Sequence, residues 1–228
     1  ALAVMVLNRH QDQFDLYFSN PKSKVSKIMV RDKNPQYIKE DAYSNVNFFP
    51  ENIIMMSERD GYNHLYLYTI GGNLVKQITK GNFEVKSFLG WDKVTGTFYY
   101  ESNEGNPTQT AIYKVDSKGR KTLLSSKKGT NSAIFSKSLK NYINTFSNAT
   151  TPPVVTINDN NGKVLSTMLD NRKLNEKLSK VAMPTKEFFK FKTSKGIELN
   201  GWIIKPANFD ASKKYPVIMH QYSGPGSQ

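Results

Sequence analysis

The chain contains no cysteine among its 228 residues. A disulfide scaffold and a thiolate metal site are therefore excluded, and the redox compartment stays open, because a chain without thiols is indifferent to it. Histidine is nearly as scarce. His10, His64 and His220 are the only three, none sits at ligand spacing from another, and a structural zinc site is not expected. No apolar run approaches the ~20 residues that a membrane-spanning helix needs. The opening ALAVMVL stops after seven residues at Asn8 and Arg9, which reads as a buried strand rather than the core of a signal segment. Arginine is sparse as well, at five of the 32 basic residues, although the formal charge is +13. The lysines are scattered singly or in pairs beside turn residues, as in KSKVSK, DSKGRK and SSKK. Lysine in such places solvates hairpin tips and guards strand edges, so nucleic acid is not expected as a partner. A basic β protein that did bind it would lose affinity steeply with salt.

What the sequence does contain is aromatic and repetitive. Hydrophobic residues make up 38% of the chain and aromatic ones 12%, enough for a real core. Three stretches line up: IIMMSERDGYNHLYLYTI, TFYYESNEGNPTQTAIYKV and YINTFSNATTPPVVTI. Each has a strand-like run, a serine with a polar loop, a second alternating run and a turn. The serines, Ser57, Ser102 and Ser147, recur every 45 residues. The turns GGN at Gly71, DSKG ending at Gly119 and NDNNG ending at Gly162 follow in the same order, and then come the short runs LVKQIT, RKTLLS and KVLSTM. A phenylalanine-bearing segment precedes each unit, at Phe48 and Phe49, at Phe88 and at Phe135. The opening LNRHQDQFDLYFSN with SKVSKIMV fits a looser first copy. Period-2 alternation between Gly/Asn/Asp turns is the pattern of antiparallel hairpins. A unit of four short strands and about 45 residues has the size of a β-propeller blade. The expected fold is thus mainly β, with about four blades of four antiparallel strands; unrelated hairpins in a sandwich would explain the regular spacing less well. Glu58, Arg59 and Asp60 read as an ion-paired structural corner rather than a catalytic group.

The pattern changes after residue 165. LDNRKLNEKLSKVAM offers Asp170 or Asn171 as a helix N-cap, Leu174, Leu178 and Val181 at helical spacing, and Pro184 beyond the end. Two strands, EFFKFKT and IELNGWIIKP, follow around a tight turn from Ser194 to Gly196. The run Val217, Ile218, Met219 lacks alternation, as expected for a central strand covered on both faces, and it leads into the glycine-rich loop YSGPG. The expected organisation is blades over 1–168, a linker helix over 169–184, and the start of an α/β-hydrolase domain over 185–228. In that fold the loop after such a strand supplies part of an oxyanion hole. The Tyr222 hydroxyl is then a candidate donor to a tetrahedral intermediate, a role typically worth roughly 2.7–4 kcal/mol of barrier. A plain aromatic at a strand end explains Tyr222 slightly better from its residue type alone.

A propeller leading into an α/β-hydrolase resembles the prolyl oligopeptidase superfamily of serine peptidases. SERDGYNHLYLY (Ser57–Tyr68), VAMPTKEFF (Val181–Phe189) and FDASKKYPVIMHQYSGPGSQ (Phe209–Gln228) are similar to its dipeptidyl peptidase IV branch. The resemblance implies that Tyr222 donates its phenol to the oxyanion. It also implies that the nucleophilic serine lies in a G-x-S-x-G elbow, which this sequence does not contain, since GPGSQ does not fit it. The family's Asp and His lie later still, and its paired glutamates for the substrate amino group lie before residue 1. The segment from Asp41 to Phe48 falls near the family's extended substrate pocket, but the family's aromatic and arginine are not evident there and no site is assigned. The implied activity of the complete protein is release of N-terminal X-Pro or X-Ala di- or tripeptides by acyl transfer through a serine triad, with no metal or organic cofactor. The implied partners are such peptides, the remainder of the same chain and a second copy in a homodimer. A periplasmic or extracellular location is implied by the bacterial members. The 228-residue chain by itself is expected to be inactive, and its arc of blades to be stable only when docked to that remainder. The alternative, from a different class, is a non-catalytic propeller that binds peptide, glycan or protein.

Overall fold

The computed structural model describes residues 1–125 and 128–221. Its first sheet is a three-stranded meander of β1 (Leu2–Leu7), β2 (Gln13–Ser19) and β3 (Ser26–Lys33). A 3-10 helix, Glu40–Asn45, leads into the second sheet: β4 (Val46–Phe48), β5 (Asn52–Ser57), β6 (His64–Thr69) and β7 (Leu74–Gln77). The third holds β8 (Val85–Asp92), β9 (Thr97–Ser102), β10 (Ala111–Val115) and β11 (Lys121–Leu123). The fourth holds β12 (Thr130–Phe135), β13 (Asn141–Asn148), β14 (Thr151–Asp159) and β15 (Val164–Leu169). In each four-stranded sheet the strands lie side by side in chain order, all antiparallel. The phenylalanine segments form or adjoin the first strand of each, as expected. These are blades of a β-propeller.

Alternation along each strand explains why the blades stack. In β5, Ile53 and Met55 pack with Phe14, Leu16 and Val30 of the first blade, while Ile54 and Met56 pack with Phe98, Tyr100 and Val115 of the third. In β9, Tyr99 turns the other way and joins Ile112, Ala133 and Tyr142 at the seam with the fourth blade. Successive side chains point to opposite faces of a strand, so an apolar run such as NIIMMS feeds two cores at once. A blade sandwiched between two others therefore reads as continuously hydrophobic in its middle strands. β1, expected as a buried strand, buries one face only: Ala3, Met5 and Leu7 pack on the first core, whereas Leu2, Val4 and Val6 are exposed.

The turns repeat as expected, with one correction of register. At the hairpin joining the last two strands of each four-stranded blade, a left-handed glycine closes the same loop: Gly72, Gly119 and Gly162, with φ of 90°, 83° and 89°. Gly72 donates to the Thr69 carbonyl at 2.9 Å, Gly119 to Asp116 at 2.9 Å and Gly162 to Asp159 at 3.0 Å. Two of these glycines also allow close approach between blades. A Cβ on Gly72 would lie 2.0 Å from the Met29 carbonyl oxygen, and one on Gly162 would lie 2.5 Å from that of Leu124. The 45-residue serine period is structural for two of its three members. Ser57 Oγ accepts from Arg59 N at 3.2 Å and Ser102 Oγ from Glu104 N at 2.9 Å, each closing the turn after the second strand. In the fourth blade the residue that does this is Asn148, whose Oδ1 accepts from Thr150 N at 3.0 Å. A β-bulge between Phe146 and Asn148 moves the position on by one residue. The regular spacing of Ser147 thus reports the blade's size but not the capping role. A further repeat has no such signature in the sequence: Thr79 Oγ1 accepts from Leu65 N and Ser125 Oγ from Ile112 N, both at 3.0 Å, where the fourth strand leaves its blade.

Past the blades, α1 (Arg172–Leu178) is a single short helix with no buried residue. Asp170 Oδ1 accepts from Arg172 N at 3.0 Å, while Asn171 is left-handed at φ 52° and its amide donates to the Pro153 carbonyl at 2.6 Å. β16 (Lys186–Lys192) and β17 (Glu198–Ile204) pair as the expected hairpin around Gly196. The central strand expected at Val217–Met219 is a correction. These residues form no strand, and their exposures are 85%, 95% and 82%. A strand exists only where a neighbour takes its hydrogen bonds, and none of the described strands runs beside this one.

Candidate functional site

Tyr222, the one side chain assigned a chemical role from the sequence, lies with its SGPG loop outside the described residues. Among those that are described, a cleft of about 260 Å³ is the most built polar feature. Its walls come from three places. β3 and its connection into the second blade give Asp32, Lys39, Ala42 and Asn45, the end of β5 and the corner after it give Ser57 and Glu58, and the entry to the third blade gives Glu84, Val85 and Lys86. Ala42 and Asn45 come from the 41–48 segment, to which no site was assigned. Nothing in the sequence pattern marks Glu84 or Lys86, because their meeting with residues 32–45 depends on how consecutive blades stack.

The cleft's charges are already paired. Lys39 Nζ sits 2.9 Å from Glu58, Lys86 Nζ 2.5 Å from Glu84, and the Arg59 guanidinium 3.1 Å from Asp32. Asp32 is buried. Arg59 also lies over the rings of Tyr66 and Tyr68, 4.5 and 5.7 Å from their centroids, a favourable cation–π arrangement. Burial pushes both phenols above their ordinary range, with Asp60 adding to the effect on Tyr66 and Arg59 partly opposing it at both. Asp60 accepts from Gln77 Nε2 at 2.5 Å. Glu58 and Arg59 are therefore ion-paired as their sequence suggested, whereas Asp60 is met by the neutral Gln77 amide. The arrangement can receive a polar segment of chain against paired charges, but it carries no activated nucleophile: Ser57 Oγ is held as acceptor by Arg59 N and by Arg59 Nε, the latter at 3.0 Å.

The histidines do not converge on a reactive centre. His64 is fully buried in the second blade, with Nε2 donating to the Gly81 carbonyl at 2.9 Å and Nδ1 3.0 Å from Thr79 Oγ1. Thr79 Oγ1 takes the Leu65 amide proton, so its own hydroxyl proton is free for Nδ1, and both ring nitrogens are committed. His10 and His220 are exposed. Among the described residues no group of three or more His, Cys, Asp or Glu could hold a metal ion.

Fold and cleft together define a class, an array of stacked propeller blades with a polar rim and a separate hairpin region beyond it. The chain belongs to the dipeptidyl peptidase IV family: residues 1–153 match the family's N-terminal region. Its similarity to curated relatives runs the whole length. It is 31% identical to the dipeptidyl peptidase 4 of Trichophyton rubrum over 238 aligned residues, and 30% identical to that of Arthroderma otae over 239. All of this chain is covered in both cases, and 30% of each relative. The crystal structure of Porphyromonas gingivalis dipeptidyl peptidase 4 superposes with a TM-score of 0.93 at 45% identity, covering 99% of this chain and 32% of that one. The chain thus spans about a third of the length of the proteins it matches.

Proposed function

We propose that this chain is the propeller-to-hydrolase portion of a serine exopeptidase that removes N-terminal dipeptides, or tripeptides, ending in Pro or Ala. The observation that carries the reading is the collinear likeness, at 45% identity and a TM-score of 0.93, to a dipeptidyl peptidase 4. In this reading Tyr222 donates from its phenol to the oxyanion of the acyl-transfer intermediate, and the blades restrict access to short or unfolded peptides. Residues 185–228 begin the hydrolase domain. The exposed Phe188, Trp202, Val217 and Ile218 support that placement, because apolar surface on this scale is normally covered. A second copy and export from the cytoplasm belong to the same proposal.

The test is Tyr222→Phe in the full-length protein, assayed on a Gly-Pro chromogenic substrate. Loss of a donor used only in the transition state lowers kcat far more than it raises KM, by roughly 10²–10³ for one oxyanion donor. An unchanged kcat, or activity that falls only in step with folded protein, would overturn the role given to Tyr222. The 228-residue chain alone should not hydrolyse the substrate, and serine-inhibitor-sensitive turnover by it would refute the division of labour.

A further inference from the structure

The seam between the third and fourth blades contains an unpaired carboxyl. Glu101, on β9, is 8% exposed and points at the fourth blade rather than at solvent. Its Oε1 accepts the Ala133 amide proton of β12 at 2.7 Å, and its other polar partner is the Ser87 side chain of β8. Both partners are neutral donors, and among the described residues no cation is paired with it. The same seam holds a backbone bridge between blades, in which Thr110 N donates to the Gly129 carbonyl at 3.1 Å and Asn131 N to the Thr110 carbonyl at 2.9 Å. It also holds a surplus acceptor: Asn144 is buried, its amide nitrogen donates to Asn131 Oδ1 at 3.3 Å, and its own Oδ1 has no partner.

The charged and titratable groups on the surrounding elements are committed elsewhere. Tyr99 on β9 and Tyr142 on β13 face the seam as neutral phenols, both pushed up by burial, Tyr142 to about 12. Lys86 on β8 is turned to Glu84 in the cleft, and Lys114 on β10 reaches the Asn160 carbonyl at 3.0 Å and Asn161 Oδ1 at 2.8 Å. Asp92 on β8 is held by the Thr95 hydroxyl at 2.8 Å.

We infer that the seam between the third and fourth blades is a pH-sensitive joint whose tightness is set by the charge on Glu101. Protonated, the group is a neutral acid that keeps the Ala133 hydrogen bond and adds a donor to a seam rich in acceptors. Ionised, it is a buried charge whose described partners are neutral, an arrangement that costs far more than a paired one. Burial accordingly raises the Glu101 carboxyl above the usual range, opposed in part by the Ala133 amide and Ser87. A folded-state value above the unfolded one means that the seam is most stable below the ordinary glutamate range and loses stability as pH rises through the folded value. The propeller would then hold together most tightly below the ordinary glutamate range and open more readily at this seam as pH rises through the Glu101 value.

Two measurements on the full chain test this. In the wild type, hydrogen exchange at Ala133, Asn131 and Thr110, corrected for the intrinsic pH dependence of exchange, should lose protection with rising pH. The loss should be about tenfold for each unit by which Glu101 is shifted. Glu101→Gln, which keeps the acceptor and cannot ionise, should abolish that dependence and protect the three amides more strongly at pH 8. Equal pH profiles in the two proteins would overturn the proposal. Should the variant fail to fold, carbon-13 titration of the Glu101 carboxyl in the wild type decides alone. A midpoint above the ordinary glutamate range supports the joint, and an ordinary or lower midpoint refutes it.

Discussion

The blades and the region after them are built from the same kinds of strand, yet they differ in what the strands bury. β9 and β16 are both rich in aromatics and both paired, but Phe98 is 4% exposed in one and Phe188 63% in the other. Among the described residues none from Asp159 onward is buried, whereas the three cores before it hold fully enclosed side chains such as Phe14, Tyr100 and Ile112. Pairing alone therefore does not make a core. A sheet hides its faces only when another layer lies on them, and the blades supply that layer to each other.

The largest test of this contrast replaces the same residue in both regions. Phe98→Ala should destabilise the full chain by about 3–5 kcal/mol, the cost of an emptied aromatic site. Phe188→Ala should cost far less where the hairpin is bare, within about 0.5 kcal/mol, and approach the Phe98 figure only where the rest of a hydrolase domain covers it. Comparable losses would show that the hairpin is covered in solution. The next comparison uses the shared turn. Gly72→Ala should cost at least the 1–2 kcal/mol or so of a left-handed alanine, and more through displacement of Met29. Gly196→Ala has the same backbone problem at φ 77° but open space around the new methyl, and should stay near the lower figure. Smaller still, Ser102→Ala removes the acceptor for Glu104 N and should cost about 1 kcal/mol. Ser147→Ala should be close to neutral, because Asn148 closes that turn. Equal effects would restore the serine period as a capping rule.

Two carboxyl groups sharpen the comparison by sign. Asp15 is buried on the first blade and accepts from Arg31 Nε and a terminal guanidinium nitrogen at 2.7 and 2.8 Å. The Arg31 hydrogen bonds, outweighing burial, hold its carboxyl below the usual range. Its folded value lies under its unfolded one, so its contribution is present above the unfolded value and is lost as pH falls through the folded one. Glu101, raised by burial with neutral described partners, has the opposite slope. Asp15→Asn should therefore flatten the fall in stability as pH drops through the Asp15 value, and Glu101→Gln the fall as pH rises through the Glu101 value. Both falls unchanged would place these groups outside the pH response.

Much of the propeller was legible in the sequence because its signals are local. Alternation in HLYLYT, the Asp or Thr that opens each outer turn and the glycine three residues on are all set by backbone sterics and short hydrogen bonds. The turn at Glu58–Asp60 was legible for the same reason, but its ion partners Lys39 and Asp32 were not. The one-residue slip at Asn148 was not, since a bulge is an adjustment of one strand to its partner. The cleft was not legible either, as Asp32, Ser57 and Glu84 are brought together only by stacking. Val217–Met219 shows the converse, in that the residue types ask for a central strand while the ladder that would make it one must come from elsewhere.

By itself, then, the sequence determined the strand order within each blade, the turn chemistry, the absence of thiol chemistry and the family resemblance. Local propensity and periodicity act over a few residues and need no partner. Only the tertiary structure decided which faces are buried, which charges are paired and where a carboxyl is left without a cation. Those properties belong to surfaces that the fold brings together from different blades, as Asp32 meets Arg59 and Glu101 meets Ala133.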